Sequence, residues 1–188
     1  ADISKFGEER SSKEAVDHYA KVSGGCYDAL ENFPKPTIAA IKGFCIGGGL
    51  NLAVCCDMRI AEEKSRFGVP AAKLGLGYGY TGIRRLAKII STSSIVEIFS
   101  TARQFSASEA YEMGLVNRVL TGAMFDHYLN DYTASIKGNA PMTIAAVKAA
   151  TLAVHQNPEN RDLAGIEAMV QSCFGSADYT EGQQAFME

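Results

Sequence analysis

The sequence predicts an α/β fold, with β/α units to about residue 120 and a helical part from 121 to 188. Three observations point there. The stretch Ile38–Asp57, IAAIKGFCIGGGLNLAVCCD, passes from a β-prone apolar run through a triple glycine into an apolar helical run. Short β-prone runs then alternate with helical segments bounded by capping and glycine signals. After residue 120 the strand signals stop, and Pro141 and Pro158 punctuate long helical stretches.

In chain order, residues 1–10 read as a polar loop, and Lys13 to about Asn32 as a helix that must end before Pro34 and Pro36. Thr37–Ile41 reads as a buried strand, Leu50–Cys55 as a short helix, and Met58–Ala61 and Arg66–Val69 as short strands. Ala71–Thr81 is glycine-rich and weak in regular signals, long enough for a compact domain's loop to point to function. Gly82–Ile90 and Ser94–Thr101 read as helices. Ser106-Ala107-Ser108-Glu109 is a capping box, and Gly114 is placed to end the helix that follows it. Leu115–Leu120 reads as a strand. Met124–Ile136, Thr143–Val154 and Asp162–Phe174 read as helices, with a last one beginning near Ala177.

The chain of 188 residues is enough for one domain with a real core plus a helical appendage. A hydrophobic content of 47% is ordinary for a soluble protein. The net charge of −3 argues against a general nucleic-acid binder. No apolar run is long enough to span a bilayer, and no signal-peptide pattern opens the chain. Of the five cysteines, Cys55 and Cys56 are adjacent, and no CxxC occurs; buried, reduced thiols in a cytoplasmic protein are the simplest account. His18, His127 and His155 are scattered without metal-ligand spacing, so no metal is expected.

The glycine triplet Gly47-Gly48-Gly49 is the main chemical feature. A strand, a glycine turn and a helix start together aim bare backbone N–H groups at an anion, with the helix dipole adding to the attraction. Alone, such a triplet is more often a tight turn that packs a helix on a sheet. A phosphate loop fits poorly, because no Gly-Lys-Ser/Thr follows. A dinucleotide site fits poorly, since GxGxxG spacing and an acid about 20 residues on are both missing.

IAAIKGFCIGGGLNLAVCCDMRIA resembles the core signature of the crotonase superfamily, the enoyl-CoA hydratase/isomerase family. The likeness continues through Phe67-Gly68-Val69-Pro70, Leu74-Gly75, Gly82–Leu86, Thr101-Ala102-Arg103, Ala107–Ala110 and Gly114–Asn117, in order over nearly the whole chain. The resemblance implies a spiral of β/α units in residues 1–120. It also implies a helical part in 121–188 that makes homotrimers, often paired into hexamers. It implies an acyl-CoA substrate, fatty-acid-type chemistry and no cofactor beyond the coenzyme A of that substrate. The chain opens on Ala1 without a Met, whereas such proteins have strands before that point and a basic tail after Glu188; a fragment is expected.

By the same resemblance, the thioester oxygen sits in an oxyanion hole made by the N–H groups of Gly48 and Ala1. Asp2, Ile3, Phe44, Ile46, Gly47, Pro70 and Ala71 are expected to line the substrate. Hydratases of this family use two glutamates on water, and those positions hold Asn51 and Ala71. Asn51 can hold a water but is no base near neutral pH. A third acid used by dienoyl-CoA isomerases falls at Gly79. No Asp or Glu occurs from Phe33 through Cys56 or from Lys64 through Val96. Lys64, Arg66, Lys73, Arg84, Arg85 and Lys88 read as solvated surface, with attraction of the coenzyme A phosphates as the functional alternative. Glu8 and Glu9 are the acids expected to reach the site from elsewhere, with surface charge the plainer reading.

The loop LGLGYGYTGI resembles that of crotonase-type methylmalonyl-CoA decarboxylases, with a tyrosine at Tyr78. Decarboxylation needs an enolate hole, a pocket for the carboxylate and a proton donor, for which Gly48, Ala1, Asn51 and Tyr78 are candidates. Water addition by the two-glutamate route is not expected. The competing expectations are decarboxylation of a malonyl-type thioester and a non-catalytic member that binds acyl-CoA.

Overall fold

The computed structural model describes residues 12–187. Ser12 caps the first helix, α1 (Lys13–Glu31), its side chain accepting from the N–H of Ala15 at 3.1 Å. The helix ends at Asn32, two residues ahead of Pro34, as the proline signals predict. Then come β1 (Ile38–Ile41), β2 (Phe44–Ile46), α2 (Gly48–Cys55), β3 (Met58–Glu62) and β4 (Arg66–Gly68). A 3-10 turn, Pro70–Leu74, leads to α3 (Tyr80–Ala87) and α4 (Thr92–Thr101). Next are β5 (Phe105–Ser106), α5 (Ala107–Glu112), β6 (Arg118–Leu120) and α6 (Gly122–Lys137). α7 (Pro141–Val154), α8 (Leu163–Phe174) and α9 (Ala177–Met187) follow.

Among the described residues the strands form two three-stranded sheets. In one, β3 lies between β1 and β6, both parallel to it, with Ile38 opposite Met58 and Ile60 opposite Arg118. In the other, β4 lies between parallel β2 and antiparallel β5, with Ile46 opposite Gly68 and Phe67 opposite Phe105. Parallel pairing of β1 with β3 requires a crossover, and β2 with α2 supplies it.

The chain divides into two compact units: residues 12–33 with Thr37–Asp126, and Pro34–Pro36 with 127–187. The core of the first joins Leu50 and Val54 of α2 to Phe67, Leu86, Ile98, Phe105 and Leu115. Phe67 and Phe105 stack with ring centroids 5.8 Å apart. The second unit is helical. Its buried Lys148 donates to the carbonyl of Lys35 at 2.8 Å.

Several elements differ from the sequence reading. β2 lies where only a connection was expected between the first strand and the glycines; Gly43, at φ 78°, turns the chain so that Phe44–Ile46 join a different sheet from β1. Helix α2 begins at Gly48 rather than Leu50. The expected strand Leu115–Leu120 narrows to Arg118–Leu120, since Leu115 and Val116 are a buried turn whose N–H groups both bond the carbonyl of Ala110. The loop 71–81 contains the 3-10 turn and the first turn of α3. The capping box at Ser106 and Glu109 has both reciprocal bonds, and Gly114 closes α5 at φ 78°. None of the five cysteines is in a disulfide, but only Cys45 and Cys55 are buried; Cys56 and Cys173 are half-buried, and Cys26 is exposed on α1, which contributes no fully buried residue.

Candidate active site

The site grows from the junction of β2 and α2. The N–H of Gly47 donates to the carbonyl of Gly68 at 2.8 Å, continuing the parallel β2–β4 register by one residue. The chain then reverses at Gly47 with φ 57° and ψ −113°, a conformation that side-chain-bearing residues rarely adopt. This reversal lets Gly48 open α2 directly from the sheet edge. A Cβ on Gly47 would lie 3.9 Å from Cδ of Pro70, so the Phe67–Pro70 segment closes one side of the turn.

Helix starts leave N–H groups without intrahelical partners. Among the described residues, Gly48 N–H has no acceptor, whereas Asn51 N–H already bonds the carbonyl of Gly47 at 3.0 Å. Gly48 is therefore a bare donor at the positive end of α2. No acidic side chain stands in the first turn of this helix to neutralise that end.

Asn51 lies three residues after Gly48, on the same helix face. Its side chain is half-buried, and its Oδ1 is sealed from solvent without a hydrogen-bond partner. Ala71 is buried in the core and Pro70 half-buried beside the turn. Phe44 is exposed and Ile46 half-buried. The structure thus gathers Gly47, Gly48, Asn51 and Pro70 around one turn. Ala1, Asp2, Ile3, Glu8 and Glu9 lie outside the described residues.

Tyr78 has a different set of neighbours. Its ring meets Phe99 edge-on, centroids 4.6 Å apart, and lies across Gly82, where a Cβ would come within 2.5 Å of Tyr78 Cε1. Burial pushes its hydroxyl up to about 12, helped by Tyr27 and Cys55 and opposed by Arg85. The phenol is a neutral group at physiological pH. No hydrogen bond or ring contact joins it to Gly48 or Asn51 among the described residues.

Arg85, read from sequence as surface or a structural helix residue, is buried. It donates to Glu31 at 2.9 Å and to Asp28 at 2.5 Å, and its guanidinium lies 5.6 Å from the ring centre of Tyr27. Lys88 also pairs with Glu31. Sequence reading misses this cluster because the partners stand more than fifty residues apart, and no local pattern marks them. The thiols of Cys45 and Cys55 are pushed up to about 11 by burial, which makes both poor nucleophiles.

No helix among the described residues is long and apolar enough to cross a membrane. A family model described as enoyl-CoA hydratase/isomerase matches residues 1–188. A short-chain-enoyl-CoA hydratase of Clostridium acetobutylicum is 33% identical over 159 residues, covering 85% of this chain and 61% of that protein. A crotonyl-CoA hydratase of Syntrophomonas wolfei is 31% identical over 188 residues, covering 100% of this chain and 72% of that one. The crystal structure of an enoyl-CoA hydratase/isomerase family protein from Hyphomonas neptunium superposes with a TM-score of 0.91 at 30% identity, over 100% of this chain and 71% of that one. The likeness covers sequence and backbone alike: the chain has the crotonase fold and belongs to the enoyl-CoA hydratase/isomerase family.

Proposed function

We propose that this chain acts on a coenzyme A thioester, stabilising its enolate at the backbone N–H of Gly48. The observation that supports this reading most is the bare N–H of Gly48, first in α2 and without an acceptor among the described residues. When a proton or carboxylate leaves the carbon beside a thioester, or a nucleophile adds one carbon further on, charge collects on the thioester oxygen. A fixed N–H there lowers each of these barriers, by about 3–4 kcal/mol for one donor. Ala1 is the second donor in this reading, and Phe44, Ile46, Gly47 and Pro70 line the acyl group with Asp2 and Ile3. Backbone dipoles take up the charge, so the chemistry calls on no group beyond the coenzyme A of the substrate.

Water addition is a poor fit to this site. Asn51 carries no proton-accepting charge, and Ala71 has no polar side-chain atom. In this reading the protein is cytoplasmic, in keeping with five cysteines of which none is in a disulfide. It also has copies assembling as a trimer or a dimer of trimers. The exposed Val147, Phe174, Phe186 and Met187 of the C-terminal helices support that assembly.

Turnover of crotonyl-CoA and methylmalonyl-CoA by the full-length protein tests the proposal. Binding of both with little hydration is expected. Release of carbon dioxide would assign the enolate to decarboxylation, and binding without any turnover would assign a non-catalytic role. Failure to bind either thioester would refute the reading.

A further inference from the structure

We infer that Gly68 is a positioning residue for the Gly48 donor. Having no side chain, it lets the backbone at Arg103 and Gln104 pack directly on the end of β4, and so sets the carbonyl that holds the glycine turn. This rests on the reading of Gly48 as the enolate donor and names what fixes that donor's direction. Gly48 follows Gly47, whose N–H bonds the carbonyl of Gly68 at 2.8 Å. Gly68 is buried as the last residue of β4. A Cβ there would lie 2.8 Å from the carbonyl oxygen of Arg103 and 3.5 Å from Cα of Gln104. Gly82, Gly122 and Gly165 stand equally close to side-chain atoms, which can swing away, whereas Gly68 faces backbone.

The segment behind Gly68 is itself fixed from both sides. Buried Ala102 ends α4 at φ 46°, the one positive φ outside glycine among the described residues. Such a conformation persists where the surroundings over-determine it. The Arg103 guanidinium donates to Glu97 of α4 at 3.0 Å and to Glu109 of α5 at 2.7 Å. Glu109 also accepts from the N–H of Ser106 at 2.8 Å, and Phe105 stacks on Phe67 next to Gly68. An alanine at 68 therefore moves the end of β4 rather than its backing, by about half an ångström to regain ordinary contact. That displacement passes through the Gly68 carbonyl to Gly47, and from there to the N–H of Gly48. A misplacement of ~1 Å costs a site on the order of a hundredfold, so half of it is worth roughly tenfold.

Acetoacetyl-CoA is the probe. The proton between its two carbonyls passes to solvent, the electron pair spreads onto both oxygens, and the enolate absorbs in the near ultraviolet. Bound to the unmodified full-length protein, it is expected to ionise at lower pH than in free solution. At a pH where the probe stays neutral, Gly68→Ala is expected to bind it as the unmodified protein does. Its bound enolate is expected to form roughly one pH unit higher, a tenfold loss that a merely structural role would not separate from binding. NMR of isotope-labelled glycine amides is expected to show faster hydrogen exchange at Gly47. Gly24→Ala, which meets open space on α1, changes neither reading. An unchanged ionisation in folded Gly68→Ala, or an equal shift in Gly24→Ala, overturns the inference and leaves the Gly48 reading standing. If Gly68→Ala does not fold, Phe105→Leu decides, because it loosens the backing without adding an atom beside Gly68. It is expected to raise the ionisation pH by less, and no change there overturns the inference. Ionisation no easier in the unmodified protein than in free solution removes the Gly48 reading and this inference together.

Discussion

Gly47 holds the site in shape through its backbone alone. Nothing lies closer than 3.9 Å to a Cβ placed there, so an alanine would fit by volume, but φ 57° with ψ −113° is strained for it. Gly47→Ala is therefore expected to lose about 1–3 kcal/mol in chemical denaturation. The orphaned Oδ1 of Asn51 acts in the opposite sense: Asn51→Leu is expected to gain stability, because a buried unpaired acceptor costs about 1–3 kcal/mol. Alkaline titration adds a third test. Cys45 and Cys55, at about 11, and Tyr78, at about 12, all hold their protons more tightly when folded than their ordinary values of 9 and 10. Their contribution is complete below pH 9, declines as pH rises, and is lost above 12, so melting temperature should fall across that window. At this scale the turn is legible in sequence, because three adjacent glycines between a β-prone run and a helical run mark a chain reversal, which Gly47 makes at φ 57°. The neutrality of the site is legible too, in Asn51 and Ala71. The direction of the Asn51 amide is not, because it depends on what surrounds the side chain.

Helix α1 is joined to α3 by charge more than by apolar burial. It has no fully buried residue, yet Asp28 and Glu31 grip the buried Arg85. Removing the guanidinium would leave Glu31, its side chain 13% exposed, with one fewer partner. Arg85→Ala is expected to cost about 1–3 kcal/mol, since Glu31 keeps Lys88 and Asp28 is largely exposed, read from the denaturation midpoint at constant slope. Burial raises the pKa of Glu31, but hydrogen bonds and charge from Lys88 and Arg85 outweigh it and set the net shift downward. The contribution of Glu31 is thus present above its ordinary 4.5 and lost as pH falls below it. Sequence periodicity finds α1, α7 and α8, because caps or prolines mark their ends. It misses β2 and β5, of three and two residues, because such strands exist only through their pairing with β4.

On the scale of the whole molecule, two sheets and α2 meet at the Gly47 turn, and the backbone superposes on that of a family member 30% identical to this chain. The C-terminal unit presents a groove of about 860 Å³ among α7, α8 and α9, lined by Val147, Phe174, Tyr179 and Phe186 with Asp178 at its edge. With Phe186 93% and Met187 83% exposed, sedimentation velocity is expected to return a trimer or hexamer, and a strict monomer would refute that assembly. The family is legible across the whole chain because its motifs recur in order; the reaction is not, because neither Asn51 nor Ala71 carries a carboxylate that would name one. The measurement that tests the central claim most directly is crotonyl-CoA hydration by the unmodified full-length protein beside Asn51→Glu/Ala71→Glu. A site that stabilises the enolate but cannot activate water predicts slow hydration in the first and a gain of at least roughly a hundredfold in the second, the lower end of general acid–base catalysis. Hydration by the unmodified protein at an ordinary enzymatic rate would contradict the account.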